Sequence, residues 1–139
     1  MPDDIAHQPA GATVSTRLLG AGVAAGILGM LPFFVTPELD TARAAEVADH
    51  VVPGLLVLVA AGAVVLSHRR GRVGAIPFLA AGLAILLAGI WMVSTHVPLL
   101  NQARRGDAPW GASLYHSASA VIVLAVGVAW SSAAWTQAD

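Results

Sequence analysis

The stretch VGAIPFLAAGLAILLAGIWMVST, from Val73 to Thr95, decides the fold class of this chain. It contains no charged residue. At about 1.5 Å of rise per residue, a helix of this length crosses a hydrocarbon core of about 30 Å. Its apolar residues are continuous and do not alternate with polar ones, which favours a helix over a barrel strand. The stretch therefore predicts a transmembrane helix.

Three more uncharged runs flank this stretch along the chain: Leu18 to Thr36, Val51 to Ser67 and Ala112 to Trp135. The chain is 57% hydrophobic and only 11% charged, whereas soluble domains carry about 25% charged residues. We therefore predict an all-α integral membrane four-helix bundle, one domain over 17–136. Residues 1–16 are polar and are expected to form a disordered cytoplasmic tail.

Arginine placement predicts the orientation of the bundle. The five-residue connection from His68 to Arg72 holds three arginines, and Arg17 precedes the first span on the same side. Both termini are therefore expected in the cytoplasm, with Glu46 among the acidic residues of the outer loops. All seven basic residues are Arg, in a chain rich in Ala, Val and Gly. This usage is typical of GC-rich bacterial genomes and favours a bacterial cytoplasmic membrane.

The two halves of the chain contain related segments. The segment Pro37 to Arg43 reads PELDTAR, and Pro98 to Arg104 reads PLLNQAR, so that Pro, Leu, Ala and Arg recur in place. Further along, His50 corresponds to His116 after a short insertion. The pattern predicts two tandem helical hairpins related by a pseudo-two-fold axis along the membrane normal, as in parallel repeats.

Each hairpin also carries a small residue and a proline near the expected end of its first helix. The first half reads Thr36-Pro37-Glu38, and the second reads Ser94-Thr95-His96-Val97-Pro98. In this layout, over most of its length, the chain resembles the small bacterial SPW-repeat membrane proteins. Neither half holds the Ser-Pro-Trp motif itself. The resemblance therefore implies architecture, and no functional residue is carried over from it.

Three histidines are expected at the outer end of the bundle: His50 at the start of the second span, His96 at the end of the third, and His116 early in the fourth. His50 shares a helix face with Gly54 and Ala61, and His116 shares one with Ala120 and Gly127. Small residues mark helix contacts in membranes. His50 and His116 are therefore predicted to face the bundle interior.

Four interpretations of these histidines remain open. Imidazoles from several helices bind Zn or Cu, and two facing imidazoles hold a haem iron. Histidine also responds to pH, since its ordinary pKa is near 6.5. The fourth interpretation is structural, with the rings hydrogen-bonded at the membrane boundary and no cofactor bound. No His-x-x-x-His spacing is present, so His50, His96 and His116 are metal candidates on position alone.

Composition also limits the function. No charged residue lies inside a span, which argues against a pump or coupled transporter, and no nucleophile or phosphate-loop motif indicates an enzyme. The chain lacks Cys, and its net charge of −1 without a basic run gives nucleic acid no binding surface. A small non-catalytic accessory or structural membrane protein is favoured, in a homo-oligomer or a larger membrane complex. The alternative is a metal- or haem-binding membrane protein.

Other residues are expected to shape the helices. The Gly22-x-x-x-Gly26 pattern predicts a close-packing face, and Pro32 is expected to kink the first helix near Leu28. The repeated Pro37, Pro98, Arg43 and Arg104 are interpreted as structural. Trp110, Trp130 and Trp135 are predicted to anchor the bundle at the two membrane boundaries. Trp91 lies deeper in the third span and is expected to be a core residue within reach of His96.

Overall fold

The computed structural model of the chain describes residues 15–35, 43–71 and 74–136. Within these ranges all regular structure is helical and forms four long helices: α1 (Thr16–Val35), α2 (Arg43–Arg69), α3 (Ala75–Arg105) and α4 (Trp110–Trp135). Each is long and apolar enough to cross a membrane. The predicted all-helical class is confirmed. Most of the N-terminal tail and Pro37 lie outside the described residues.

The helices form a closed ring in which α1 and α3 each pack against both α2 and α4. Neighbouring helices are antiparallel. The Trp130 ring near the end of α4 packs on Phe78 near the start of α3, with ring centroids 5.3 Å apart. At the opposite end, the early part of α4 meets the late part of α3. The ring has therefore two distinct ends, a Trp130 end and a histidine end.

Two helices extend beyond their predicted boundaries. The helix α2 begins at Arg43 rather than at Val51, and α3 continues to Arg105 rather than ending at Thr95. Pro98 therefore lies inside α3, and not in a loop. Ser94 and Thr95 donate side-chain hydrogen bonds to the carbonyls of Ile90 and Met92. Such bonds commonly accompany prolines in membrane helices, where the ring removes a backbone donor.

The helix α3 ends at a left-handed glycine. Gly106 has φ +84°, and its N–H donates to the carbonyl of Ala103, while Asp107 N–H donates to that of Gln102. These paired bonds satisfy the last carbonyls of the helix. The last turn of α3 thus contains Arg104 and Arg105, which the sequence prediction had assigned to a loop. Positive charges at this end interact favourably with the helix dipole.

Glycines let the helices approach closely. A Cβ atom at Gly22 would lie 2.3 Å from the Trp130 ring, and one at Gly26 would lie 2.6 Å from Leu58 Cγ. A Cβ at Gly89 would lie 2.5 Å from the Leu124 Cα. Gly22 and Gly26 therefore line contacts within this chain. Pro32 is buried inside a continuous α1.

Two tryptophans are placed differently from the prediction. Trp130 is fully buried and donates its Nε1–H to the carbonyl of Phe78, so it is a core residue and not a boundary anchor. Trp91 is 56% exposed, which excludes the expected packing inside the core. Trp110 and Trp135 are exposed at the two ends of α4. Periodicity alone could not separate these faces, because every face of these helices is apolar.

Candidate metal centre

Three histidines from three helices converge at the histidine end of the bundle. The Nε2 atom of His50 lies 2.8 Å from that of His116 and 3.1 Å from that of His96. All three potential ligand atoms lie within 4.8 Å of one another. The side chains are enclosed, since His50 has no exposed surface and His96 and His116 are each 4% exposed. The structure thus brings together all three residues that the sequence singled out.

The remaining helix, α1, also contacts this cluster. The Nδ1 atom of His50 is 3.1 Å from the carbonyl oxygen of Gly29 on α1. Gly29 approaches α2 closely, because a Cβ built there would be 3.6 Å from the Gly54 Cα. Every helix of the ring therefore contributes to the position of the His50 imidazole.

The backbone contacts determine which ring nitrogens carry protons. A carbonyl oxygen only accepts, so the Nδ1 atom of His50 donates to Gly29 and that of His96 donates to Met92. In a neutral imidazole the other nitrogen is then an unprotonated acceptor. The Nε2 atoms of His50 and His96 therefore face each other across 3.1 Å with a lone pair on each. A cation between them, either a metal ion or an additional proton, would convert this repulsive arrangement into an attractive one.

Two of the three nitrogen separations are close to those of a metal-ligand set. With metal–nitrogen bonds of about 2.0–2.1 Å, tetrahedral ligands are about 3.3 Å apart. The two shorter separations of 2.8 and 3.1 Å lie just below that value, so a small expansion would admit an ion. Metal-binding histidines usually donate their other ring N–H to a carbonyl or carboxylate in the same way, which fixes the orientation of the ring.

Haem does not fit the same geometry. Two axial nitrogens on one iron are about 4 Å apart, twice a metal–nitrogen bond of about 2 Å, and a porphyrin plane separates them. Here His50 and His116 approach to 2.8 Å. The three ring centroids are only 4.4 to 5.0 Å apart, which leaves no space for a macrocycle between them.

His50 lies in a π-helical turn of α2. Residues Val47–Val51 form this turn, and the Val52 N–H donates to the carbonyl of Val47, five residues earlier. Such wide turns are uncommon and occur frequently at functional sites. Pro53, which has no N–H to donate, follows directly in the chain. Nothing in the residue pattern predicts this turn, although the proline close after His50 agrees with it.

A carboxylate lies beside the three nitrogens. Glu46 precedes His50 by four residues on α2, and its side chain is only 12% exposed. Its Oε1 atom is 3.6 Å from His116 Nε2, and its Oε2 atom is 3.9 Å from His50 Nε2. The sequence predicts Glu46 in an outer loop, but the structure places it inside α2, which begins earlier than predicted. The Glu-x-x-x-His spacing was the available signal that the two side chains share a helix face.

The other residues interpreted as structural lie away from this cluster. Arg43 begins α2 and stands over the Phe33 ring, 5.8 Å from its centroid. Arg104 and Pro98 are exposed on α3. His68 lies in the last turn of α2, at the opposite end of that helix from His50.

No known protein family matches this chain, and neither does any curated protein or solved structure. The assignment of function therefore depends on the geometry of the site.

Proposed function

We propose that this chain is an integral membrane protein that binds one divalent transition-metal ion, Zn²⁺ or Cu²⁺, through His50, His96 and His116. The ion would sit among the three Nε2 atoms and link α2, α3 and α4, with α1 held through Gly29. The observation that carries the proposal is the 3.1 Å separation of two Nε2 atoms whose rings both donate from Nδ1 to carbonyls.

Competing neutral arrangements do not account for that observation. A proton on His116 Nε2 can be donated to His50 across 2.8 Å, as in an ordinary hydrogen bond between neutral rings. It leaves the lone pairs of His50 and His96 facing each other. A metal ion satisfies all three nitrogens at once, and imidazole nitrogen is a usual ligand for both ions.

The surface of the chain supports the membrane part of the proposal. Large apolar side chains are exposed around the ring, among them Phe34, Val59 and Leu87, each more than 60% exposed. In water such a surface would promote association, whereas lipid solvates it. We place both termini in the cytoplasm of a bacterial cell and the histidine end at the outer face. The tandem-hairpin duplication belongs to the same proposal.

The proposed role of the ion is structural and not catalytic. It would join three helices whose ligands are distant from one another in the chain, at the histidine end of the bundle. A structural metalloprotein of this size suits an accessory subunit, in a homo-oligomer or a larger membrane complex. The apolar perimeter is available for such partners as well as for lipid.

The test is a metal titration of the purified protein in detergent. After chelator treatment, the wild type should bind one Zn²⁺ per chain in competition with a chromogenic indicator. A His50→Ala/His116→Ala variant should lose this site. His68→Ala is the matched control, because it removes an imidazole from the other end of the bundle and should bind as the wild type does. A stripped wild type that takes up no stoichiometric metal would refute the proposal.

A further inference from the structure

We infer that Glu46 is the fourth ligand of this metal centre, so that the site is a closed three-histidine, one-carboxylate site. The inference rests on the proposed metal binding and determines what kind of site it is. Three protein ligands with an open position are typical of catalytic zinc sites, whereas four protein ligands are typical of structural ones.

The distances favour direct ligation. Carboxylate oxygens bind Zn²⁺ at about 2.0–2.2 Å, which places them about 3.3–3.5 Å from tetrahedral nitrogen ligands. Glu46 oxygens are 3.6 Å from His116 Nε2 and 3.9 Å from His50 Nε2. If a metal-bound water separated the carboxylate from the ion, a water–carboxylate hydrogen bond of about 2.7 Å would place these oxygens about 4–5 Å from the nitrogens.

Local structure holds the carboxylate in this position. Glu46 is the last residue before the π turn that contains His50, so both side chains leave the same side of α2. The Oε2 atom is buried. A buried carboxylate also neutralises part of the charge of a divalent ion, which reduces the large cost of placing that ion in a low-dielectric region.

The Glu46 side chain approaches the cluster from the side of two of the three histidines. Glu46 lies near His50 and His116, on α2 and α4, while His96 reaches the cluster from α3. The carboxylate would complete the ligand set from beside His50 and His116. In this arrangement α2 supplies two ligands, and α3 and α4 supply one each.

The experiment uses Co²⁺, which adopts zinc geometries and has visible d–d absorption, on the full chain in detergent. In the Co²⁺-loaded wild type, added azide should leave the spectrum unchanged because no position is open. In Glu46→Gln, azide should bind and change the spectrum, and Zn²⁺ affinity should fall by more than about tenfold. Asp49→Asn is the matched control, since it removes a carboxylate three residues further along α2, and it should behave as the wild type.

The outcomes separate this inference from the proposed function. A wild type that binds Co²⁺ and then takes up azide overturns the role of Glu46 and leaves the three-histidine site intact. The same holds if Glu46→Gln retains wild-type Zn²⁺ affinity. A wild type that binds neither metal overturns both proposals. Because the azide measurement on the wild type needs no variant, the test stands even if Glu46→Gln fails to fold.

Discussion

His50 and His116 are 66 residues apart in the chain, yet their Nε2 atoms lie 2.8 Å apart in the folded protein. This contact joins α2 to α4, and the 3.1 Å contact from His50 to His96 joins α2 to α3. His50 is thus the central residue of the cluster. Its imidazole touches the other two rings and, through Nδ1, the backbone of α1.

Metal should stabilise the folded state measurably. A ligand that binds only the native protein contributes about 2.7 kcal/mol when its concentration is 100 times its dissociation constant. The thermal midpoint of the stripped wild type in detergent should therefore rise when Zn²⁺ is added. His68→Ala should show the same rise and His50→Ala/His116→Ala should show none. An equal rise in all three proteins would assign the effect to nonspecific binding.

Gly22→Leu should destabilise the bundle by about 1–3 kcal/mol, the usual range for overpacking. The new Cβ would lie 2.3 Å from the Trp130 ring and 3.0 Å from the Ala61 Cβ, and Trp130 is fully buried and has no room to move. Gly20→Leu is the control, since nothing lies within 4 Å of a Cβ there. Unfolding monitored by circular dichroism gives both values, and equal stability of the two variants would contradict the packing.

Gly89→Ala tests the contact between α3 and α4 with a single methyl group. That methyl would lie 2.5 Å from Leu124 Cα and 2.6 Å from Leu124 N, so the backbone of α4 would have to move. We expect a loss of about 1–3 kcal/mol. Gly62→Ala places a methyl in open space and should leave stability unchanged or raise it by up to about 1 kcal/mol. A Gly89→Ala protein as stable as wild type would exclude the close contact.

Trp130→Phe should cost stability through a lost hydrogen bond. The Nε1–H of Trp130 donates to the Phe78 carbonyl at 3.2 Å. That carbonyl keeps its own helical hydrogen bond in the variant, so the loss of the indole bond should cost about 0.5–1.5 kcal/mol. The fluorescence of the variant should also lose its most blue-shifted component, because Trp130 is the fully buried indole. Trp135→Phe, at a position 70% exposed, should change neither property. Similar effects from both substitutions would place Trp130 at the surface.

The proposed orientation can be read by cysteine labelling, because the chain has no cysteine of its own. A membrane-impermeant maleimide should modify Gln102→Cys in cells whose inner membrane is intact, since that residue lies at the histidine end. It should modify His68→Cys only after the membrane is disrupted. The reverse pattern would place the histidine end in the cytoplasm and both termini outside.

The sequence was sufficient for the fold class and for the identity of the three candidate histidine ligands, but not of Glu46. In lipid, the backbone N–H and C=O groups of a long uncharged run must bond within the run itself, which a helix achieves. Four such runs therefore predict four helices from hydropathy alone. Small residues at fixed spacing from His50 and His116 indicated interior faces, and both histidines are buried. The duplication of the two hairpins remains a prediction.

Tertiary structure decided the rest. The π turn, the extension of α3 past Pro98, the burial of Trp130 and the approach of Glu46 all depend on close contacts between helices. Hydropathy cannot report such contacts, because every face of each helix is apolar. Only packing fixes the rotation of each helix, and that rotation brings three imidazoles and a carboxylate from separate parts of the chain to a single point.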